Sequence, residues 1–491
     1  MRRPALAVLA LASPAAPQGT REVTSGTAIT GVAVVDARTG AILPDRTVVV
    51  DGGRVTVVAP SARVALGARV TRVPGAGKYL IPGLWDMHVH LSPMLGGPDI
   101  LPVFTAYGVT GVRDAGSQDS IYFWQRQVAR GELSGPRIVA AGRMLIAYAT
   151  AAQMGPISSA IPVQTEAEAR SAVRARRGAA QYLKLQDSFL PRALWLAAAD
   201  EARRQGLAVA GHVPTDLSLT EAIDAGLRDI EHVIGLAVAL GPGEAGRRHR
   251  IMERARPPGS AHADIMAGYS ALFEIEAEVL DVADSGLGAV ADLMARKGVA
   301  LDPALTDLRA TATAGSGRWS DDPRLAYLPP ATRAGWLRAT RGALYTGENA
   351  RRAAAMLGPL STLVARLHRR GVTILAGTDA GTAFDFPGSD THAELELLVD
   401  AGLSPLAALQ AATLKPAEFM GLADSLGTIE VGKVADLVLL EGNPLADVRN
   451  SRRIAAVVQA GRFFHRRALD SMLTSVKDKY ARMSPRGEEA P

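Results

Sequence analysis

Eight short apolar stretches, most of them closing on a polar or glycine-containing end, alternate with helical segments between residues 85 and 381. They are WDMHVHL (85–91), GVTGVRDAG (108–116), PRIVAAG (136–142), QYLKL (181–185), LAVAGHV (207–213), RDIEHV (228–233), GVALDPAL (298–305) and GVTILAGTDAG (371–381). Brief apolar strands separated by helices predict an α/β fold with a parallel sheet, and eight of them predict a (β/α)8 TIM barrel. Two long connections, 235–297 and 306–370, have helical texture interrupted by RPPGSAH and YLPPAT. We read them as insertions that form a lid or one wall of a cleft. Residues 21–80 and 425–470 instead carry β-branched runs between glycine and aspartate turns. Two β-rich pieces at opposite ends of a chain predict a small composite β-sandwich beside a barrel spanning 81–424. The polar residues 471–491 read as a tail.

Composition narrows the partners. Formal charge is +5, arginines are scattered in short groups, and aromatic residues are 5% of the chain. Without a basic stripe or a stacking platform, nucleic acid is not an expected partner. The chain has no cysteine, which excludes disulfides, thiolate ligands and a cysteine nucleophile. Residues 1–20 begin MRRPALAVLALASPAAPQG, two arginines followed by a short apolar run and small residues. This resembles a secretory signal peptide, so a periplasmic or secreted protein is expected, with cytoplasmic residence as the alternative. No other stretch approaches the ~20 apolar residues of a membrane span.

Barrel active sites lie at the C-terminal ends of the strands. Six residues occupy such ends here: His88 and His90, Lys184, His212, His232 and Asp379. In a strand, residues i and i+2 point the same way, so His88 and His90 project together. Four imidazoles and a carboxylate at one mouth suit two divalent metals, zinc first, with manganese, cobalt or iron as alternatives. Lys184 has two readings. It is a strand-end lysine that reaches solvent, or its amine adds CO2 to become an anionic carbamate that bridges two metals.

The ordered set IPGLWDMHVHL, GVTGVRDAG, YLKL, GHVP, IEHV, ILAGTDAG and LGTIEVGKVADLVLLEGNPL resembles the amidohydrolase superfamily. It is most similar to the imidazolonepropionase-like and prolidase-like branch with a binuclear centre and a carboxylated lysine. The resemblance runs from about residue 27 to 465. It implies that His88, His90 and Asp379 hold one metal and His212 and His232 the other, with Lys184 and a hydroxide bridging them. It also implies hydrolysis of an amide C–N bond, of a dipeptide or an N-acyl amino acid, by attack of that hydroxide. Asp379 would act as general base and then general acid. GHVP and the loop GRMLIAYATAAQMG depart from relatives at positions facing substrate, so no particular dipeptide specificity carries over.

Arg113, Tyr148, Tyr182 and His392 lie at or just beyond strand ends and are candidate substrate contacts. Two other enzyme readings share the residues: a mononuclear deaminase or cyclic-amide hydrolase, and a lactonase or organophosphate hydrolase. A non-enzymatic scaffold would be expected to have lost ligands, and all six are present. A small molecule is the expected partner. Barrels of this kind commonly form homo-oligomers, but no interface is legible in the sequence.

Overall fold

The computed structural model describes residues 20–147, 159–185, 188–255, 262–280, 286–342 and 345–483. The expected signal peptide and Tyr148 therefore lie outside the described residues. All eight expected strand positions are strands, and two parallel sheets contain them. One sheet joins Leu84–Val89, Val109–Asp114 and Arg137–Ala140. The other runs Ala160–Pro162, Met144–Ile146, Leu183–Leu185, Val209–Gly211, Leu227–Glu231, Ala300–Asp302 and Thr373–Ile374. Every pairing in both sheets is parallel. The strands are mostly buried, as a parallel sheet covered by helices requires, and their buried charged residues gather around the site described below.

Backbone hydrogen bonds link the two sheets at two places. Met87 N donates to Ala376 O at 2.9 Å, Asp379 N to His88 O at 2.8 Å and His90 N to Ala380 O at 2.8 Å. Elsewhere Gln181 N donates to Ala140 O at 3.0 Å. Among the described residues the ladders do not run as one closed barrel.

Helices fill the spaces between strands. Two begin with capping boxes, Thr165 with Glu168 and Ser218 with Glu221, which satisfy otherwise free N-terminal N–H groups. The long connections are mainly helical: Glu244–Arg254, His262–Leu280, Leu287–Lys297, Leu305–Thr313, Pro330–Ala339 and Gly347–Arg369.

The two terminal β pieces meet in one mixed eight-stranded sheet. Strand Tyr79–Pro82 pairs antiparallel with Leu437–Leu440, so the N-terminal and C-terminal segments share a ladder and the core of Ile29, Val48, Leu80, Leu437 and Val458. One expectation is corrected at the C-terminus. Residues 466–482 are not a free tail but a helix that buries Leu469, Val476 and Tyr480. Those three lie at positions i, i+7 and i+11, one face of a helix.

Candidate metal centre

Strand Leu84–Val89 slips register between Asp86 and Val89, and the chain leaves it with His88 and His90 side by side. Their Nε2 atoms are 3.3 Å apart. Asp379 comes from the far end of the parallel-strand region, just after Thr373–Ile374. It sits in a turn at φ +60°, a conformation that costs a non-glycine residue and that recurs at functional sites. Its Oδ1 lies 3.3 Å from His88 Nε2 and 2.9 Å from His90 Nε2. His232, likewise at positive φ (+66°), places Nε2 3.8 Å from Asp379 Oδ2. The His232 ring centroid is 4.9 Å from those of both His88 and His212. Lys184 is fully buried, and its charge acts on His88, His90 and His212. All six residues expected at the strand ends are thus gathered in one place.

Surrounding residues hold these rings by their other nitrogens. His90 Nδ1 is 2.9 Å from Gly116 O, His212 Nδ1 is 3.2 Å from Ser188 Oγ, His88 Nδ1 is 3.5 Å from Asp302 Oδ2, and His232 Nδ1 is 3.4 Å from Asp307 Oδ2. Such contacts fix the ring so that Nε2 faces the centre. Asp86 fixes the Asp379 turn from behind: its carboxylate accepts from Thr378 N at 3.1 Å, Thr378 Oγ1 at 2.8 Å and Thr391 Oγ1 at 2.9 Å. Gly377 permits the approach, because a Cβ there would stand 2.2 Å from Asp302 Oδ2 and 2.6 Å from His88 Cβ.

The electrostatics suit cation binding. Burial, joined by the Lys184 charge, holds His88 and His212 well below the ordinary histidine value, so both rings are neutral and free to act as ligands. Burial opposes ionisation of Asp379, but the His88 and His90 rings outweigh it and keep the carboxyl well below the carboxylate range. Burial likewise works against charge on His90, yet the Asp379 carboxylate raises it. A metal would serve in the place of that proton. Burial pulls the Lys184 ammonium down to about 7, so a substantial fraction is neutral amine near neutrality. His212 Nε2 is buried with no hydrogen-bond partner. Facing imidazole nitrogens, an ionised carboxylate and an unsatisfied buried imidazole nitrogen fit a divalent metal centre.

The site opens into a cavity of about 240 Å³ lined by Ser188, Ile234, Tyr269, Leu272, Phe273 and Thr382 together with His212, His232, Asp307 and Asp379.

Three expected substrate contacts do not face this cavity. Arg113 is buried in the strand layer, in contact with the Asp229 carboxylate and with its guanidinium 4.0 Å from the Tyr182 ring centroid. Tyr182 donates from its hydroxyl to Asp114 O at 2.7 Å. Both border a separate cavity of about 650 Å³ that also reaches Gly206 and Gly298, which precede strands, and Thr373, the first residue of its strand. His392 is buried in the helix Ser389–Asp400, with Nδ1 2.9 Å from Ser451 Oγ and Nε2 2.8 Å from Tyr107 O. Each lies near a strand end in sequence, but its partners are structural.

Glu231 and Asp302 were missed. Glu231 is buried against the Lys184 ammonium, and Asp302 faces His88. Their signal was present: RDIEHV places an acid immediately before the histidine, and GVALDPAL ends the seventh strand on an aspartate.

Comparison with known proteins follows the same lines. The sequence profile of the amidohydrolase family matches residues 79–463. A solved structure from Bifidobacterium longum assigned as a prolidase superposes with a TM-score of 0.63 at 25% identity, covering 92% of this chain and 99% of that one. The ochratoxinase structure from Aspergillus niger gives 0.60 at 20% identity, covering 90% and 96%. In sequence, the A. niger ochratoxinase is 35% identical over 101 residues, 20% of this chain and 20% of that protein. The matched stretch thus spans about a fifth of that relative's length. With a profile that covers most of its length and a fold shared with these hydrolases, the chain belongs to the amidohydrolase family.

Proposed function

We propose that this protein is a metal-dependent hydrolase that cleaves the amide C–N bond of a dipeptide or an N-acyl amino acid. The observation that carries the reading is the convergence of His88 Nε2, His90 Nε2 and one oxygen of Asp379 within 3.3 Å of one another. Without a cation or a proton between them, the lone pairs of those atoms oppose each other. His88, His90 and Asp379 would hold one metal, His212 and His232 a second, and the Lys184 carbamate would join them. Bound divalent metals supply an acidified water and polarise a carbonyl.

The chain's own residues do the rest. Asp379, ionised at neutral pH, accepts the proton of the attacking water and delivers it to the departing nitrogen. Its turn is clamped by Asp86, so the carboxylate keeps its orientation through both transfers. Ile234, Leu272 and Phe273 present an apolar wall that excludes water from the amide. We further propose that the two parallel sheets are the walls of a (β/α)8 barrel, that the mixed sheet belongs to a composite sandwich, and that the chain is exported.

A mononuclear centre is the second reading, and one observation favours it. Lys184 contacts the Glu231 carboxylate, a partner suited to an ammonium rather than a carbamate. One experiment separates the two. Metal per chain is measured by mass spectrometry, and the same preparation is tested for amine release from dipeptides and N-acyl amino acids. Two metals with amine release support the proposal, one metal supports the mononuclear reading, and no metal refutes both.

A further inference from the structure

Beside the proposed ligands His88, His90 and His232 lie two carboxylates that the hydrolytic steps do not use, Asp307 and Asp385, grouped with Asp379. Asp307, Asp379 and Asp385 each offer an oxygen, all within 4.8 Å of one another. Asp385 is fully buried, and neither of its oxygens has a hydrogen-bond partner. Leaving a buried carboxylate unpaired is costly, and placing it beside two others adds repulsion. Arg309 acts on Asp385 only at long range. Its guanidinium lies 6.0 Å from the Trp319 ring centroid, and its Nε is without a partner. Asp385 is held in this position by its neighbours. Phe384 stacks on Trp319 with centroids 6.0 Å apart, and Phe386 meets Trp336 at 5.5 Å.

We propose that Asp385 and Asp307 form a subsite for a primary ammonium group of the substrate, so that the enzyme prefers an aminoacyl group with a free α-amine over an N-acylated one. The inference rests on the proposed amide hydrolysis and narrows it to unblocked dipeptides or aminoacyl amides. Geometry supports an ammonium. Three acceptors about 2.8 Å from one –NH3⁺, at tetrahedral angles, stand about 4.6 Å apart. Position supports it too. An α-amine is two bonds from the scissile carbonyl carbon, and the acidic pair adjoins Asp379, the proposed proton carrier. Asp307 and Asp379 line the cavity walled by Ile234, Leu272 and Phe273, which would take an apolar side chain on the same residue, while Asp385 is buried beside that pair and does not itself line the cavity.

The test uses the full-length metal-loaded protein and two kinds of probe. The first is leucinol against its desamino counterpart, 4-methylpentan-1-ol, measured by calorimetry. The second is hydrolysis of leucine p-nitroanilide, its N-acetyl derivative and the desamino 4-methylpentanoyl p-nitroanilide. Leucinol should bind at least tenfold more tightly than the desamino alcohol, and Asp385→Asn should erase most of that preference while metal content stays unchanged. Equal binding of the two alcohols by the wild-type protein would overturn the subsite. So would an unchanged preference in Asp385→Asn, or loss of a metal equivalent in that variant. Faster cleavage of the N-acetyl anilide would also refute it. If leucinol is preferred but no anilide and no dipeptide is cleaved, the subsite stands and the amide-hydrolase reading falls.

Discussion

The Nε2 atoms of His88 and His90 face one another at 3.3 Å, and Asp379 Oδ1 lies within 3.3 Å of both. A proton on His90 pairs with Asp379 but leaves the His88 nitrogen unmatched, so a metal cation there should stabilise the fold. A metal present at a hundred times its dissociation constant contributes about 2.7 kcal/mol. Stripping it with a chelator should lower Tm by several degrees, and adding back zinc or manganese should restore it. A thermal scan unmoved by chelator would count against a metal at these residues.

The proposed Lys184 carbamate would set how many metals bind. Buried, with its ammonium pulled down to about 7, it has the neutral amine that carbamate formation needs. Protein prepared with ¹³C-bicarbonate should show a carbamate carbon resonance that is absent from Lys184→Ala. The same variant should hold one metal fewer, with activity reduced at least about a hundredfold, the scale of losing one transition-state contact. Unchanged metal content in Lys184→Ala would rule out a bridging role.

Arg113 belongs to the interior. Replacing it with methionine leaves the buried Asp229 carboxylate without its partner, which costs about 3–5 kcal/mol. Urea unfolding should report that loss, while KM for a cleaved amide should stay unchanged. A raised KM with unaltered stability would return Arg113 to the list of substrate contacts.

Glu276 gives stability a pH dependence. It is fully buried in the helix His262–Leu280 and accepts from Gly235 N at 2.8 Å and Ala237 N at 3.0 Å. Burial raises its carboxyl to about 7 despite those two donors. A carboxyl raised on folding binds more protons native than unfolded between its ordinary value of 4.5 and about 7. Its contribution is therefore fully present below that window and declines across it, by up to about 3 kcal/mol. Tm should fall as pH rises from about 4.5 to 7, and the slope should be smaller in Glu276→Gln. An equal slope in that variant would assign the effect to the other buried carboxyls, Asp86 and Glu394, both also raised to about 7.

Strand positions were legible because alternation of apolar strands and helices is a local property of the chain. The strands Met144–Ile146 and Ala160–Pro162 were not, since three residues carry no periodicity. The stretch 371–381 reads as one long strand, yet only Thr373–Ile374 is strand, because the backbone turns out of the sheet to aim Asp379 at the histidines. The helix after Arg466 was hidden behind its polar composition, with one buried face too narrow to stand out.

The sequence by itself determined an α/β fold with parallel strands and the positions of the six polar residues that meet, because residue type and spacing along a strand are written in order. Tertiary structure alone decided the depth of each side chain. Arg113 and Tyr182 look like cleft residues by position, but the layer they occupy puts them against Asp229 and Asp114. Asp385 looks unremarkable in the sequence and becomes a buried, unpaired carboxylate only when a positive-φ turn and four aromatic rings fold around it. Which groups meet depends on contacts between residues far apart in the chain, and no local pattern encodes those distances.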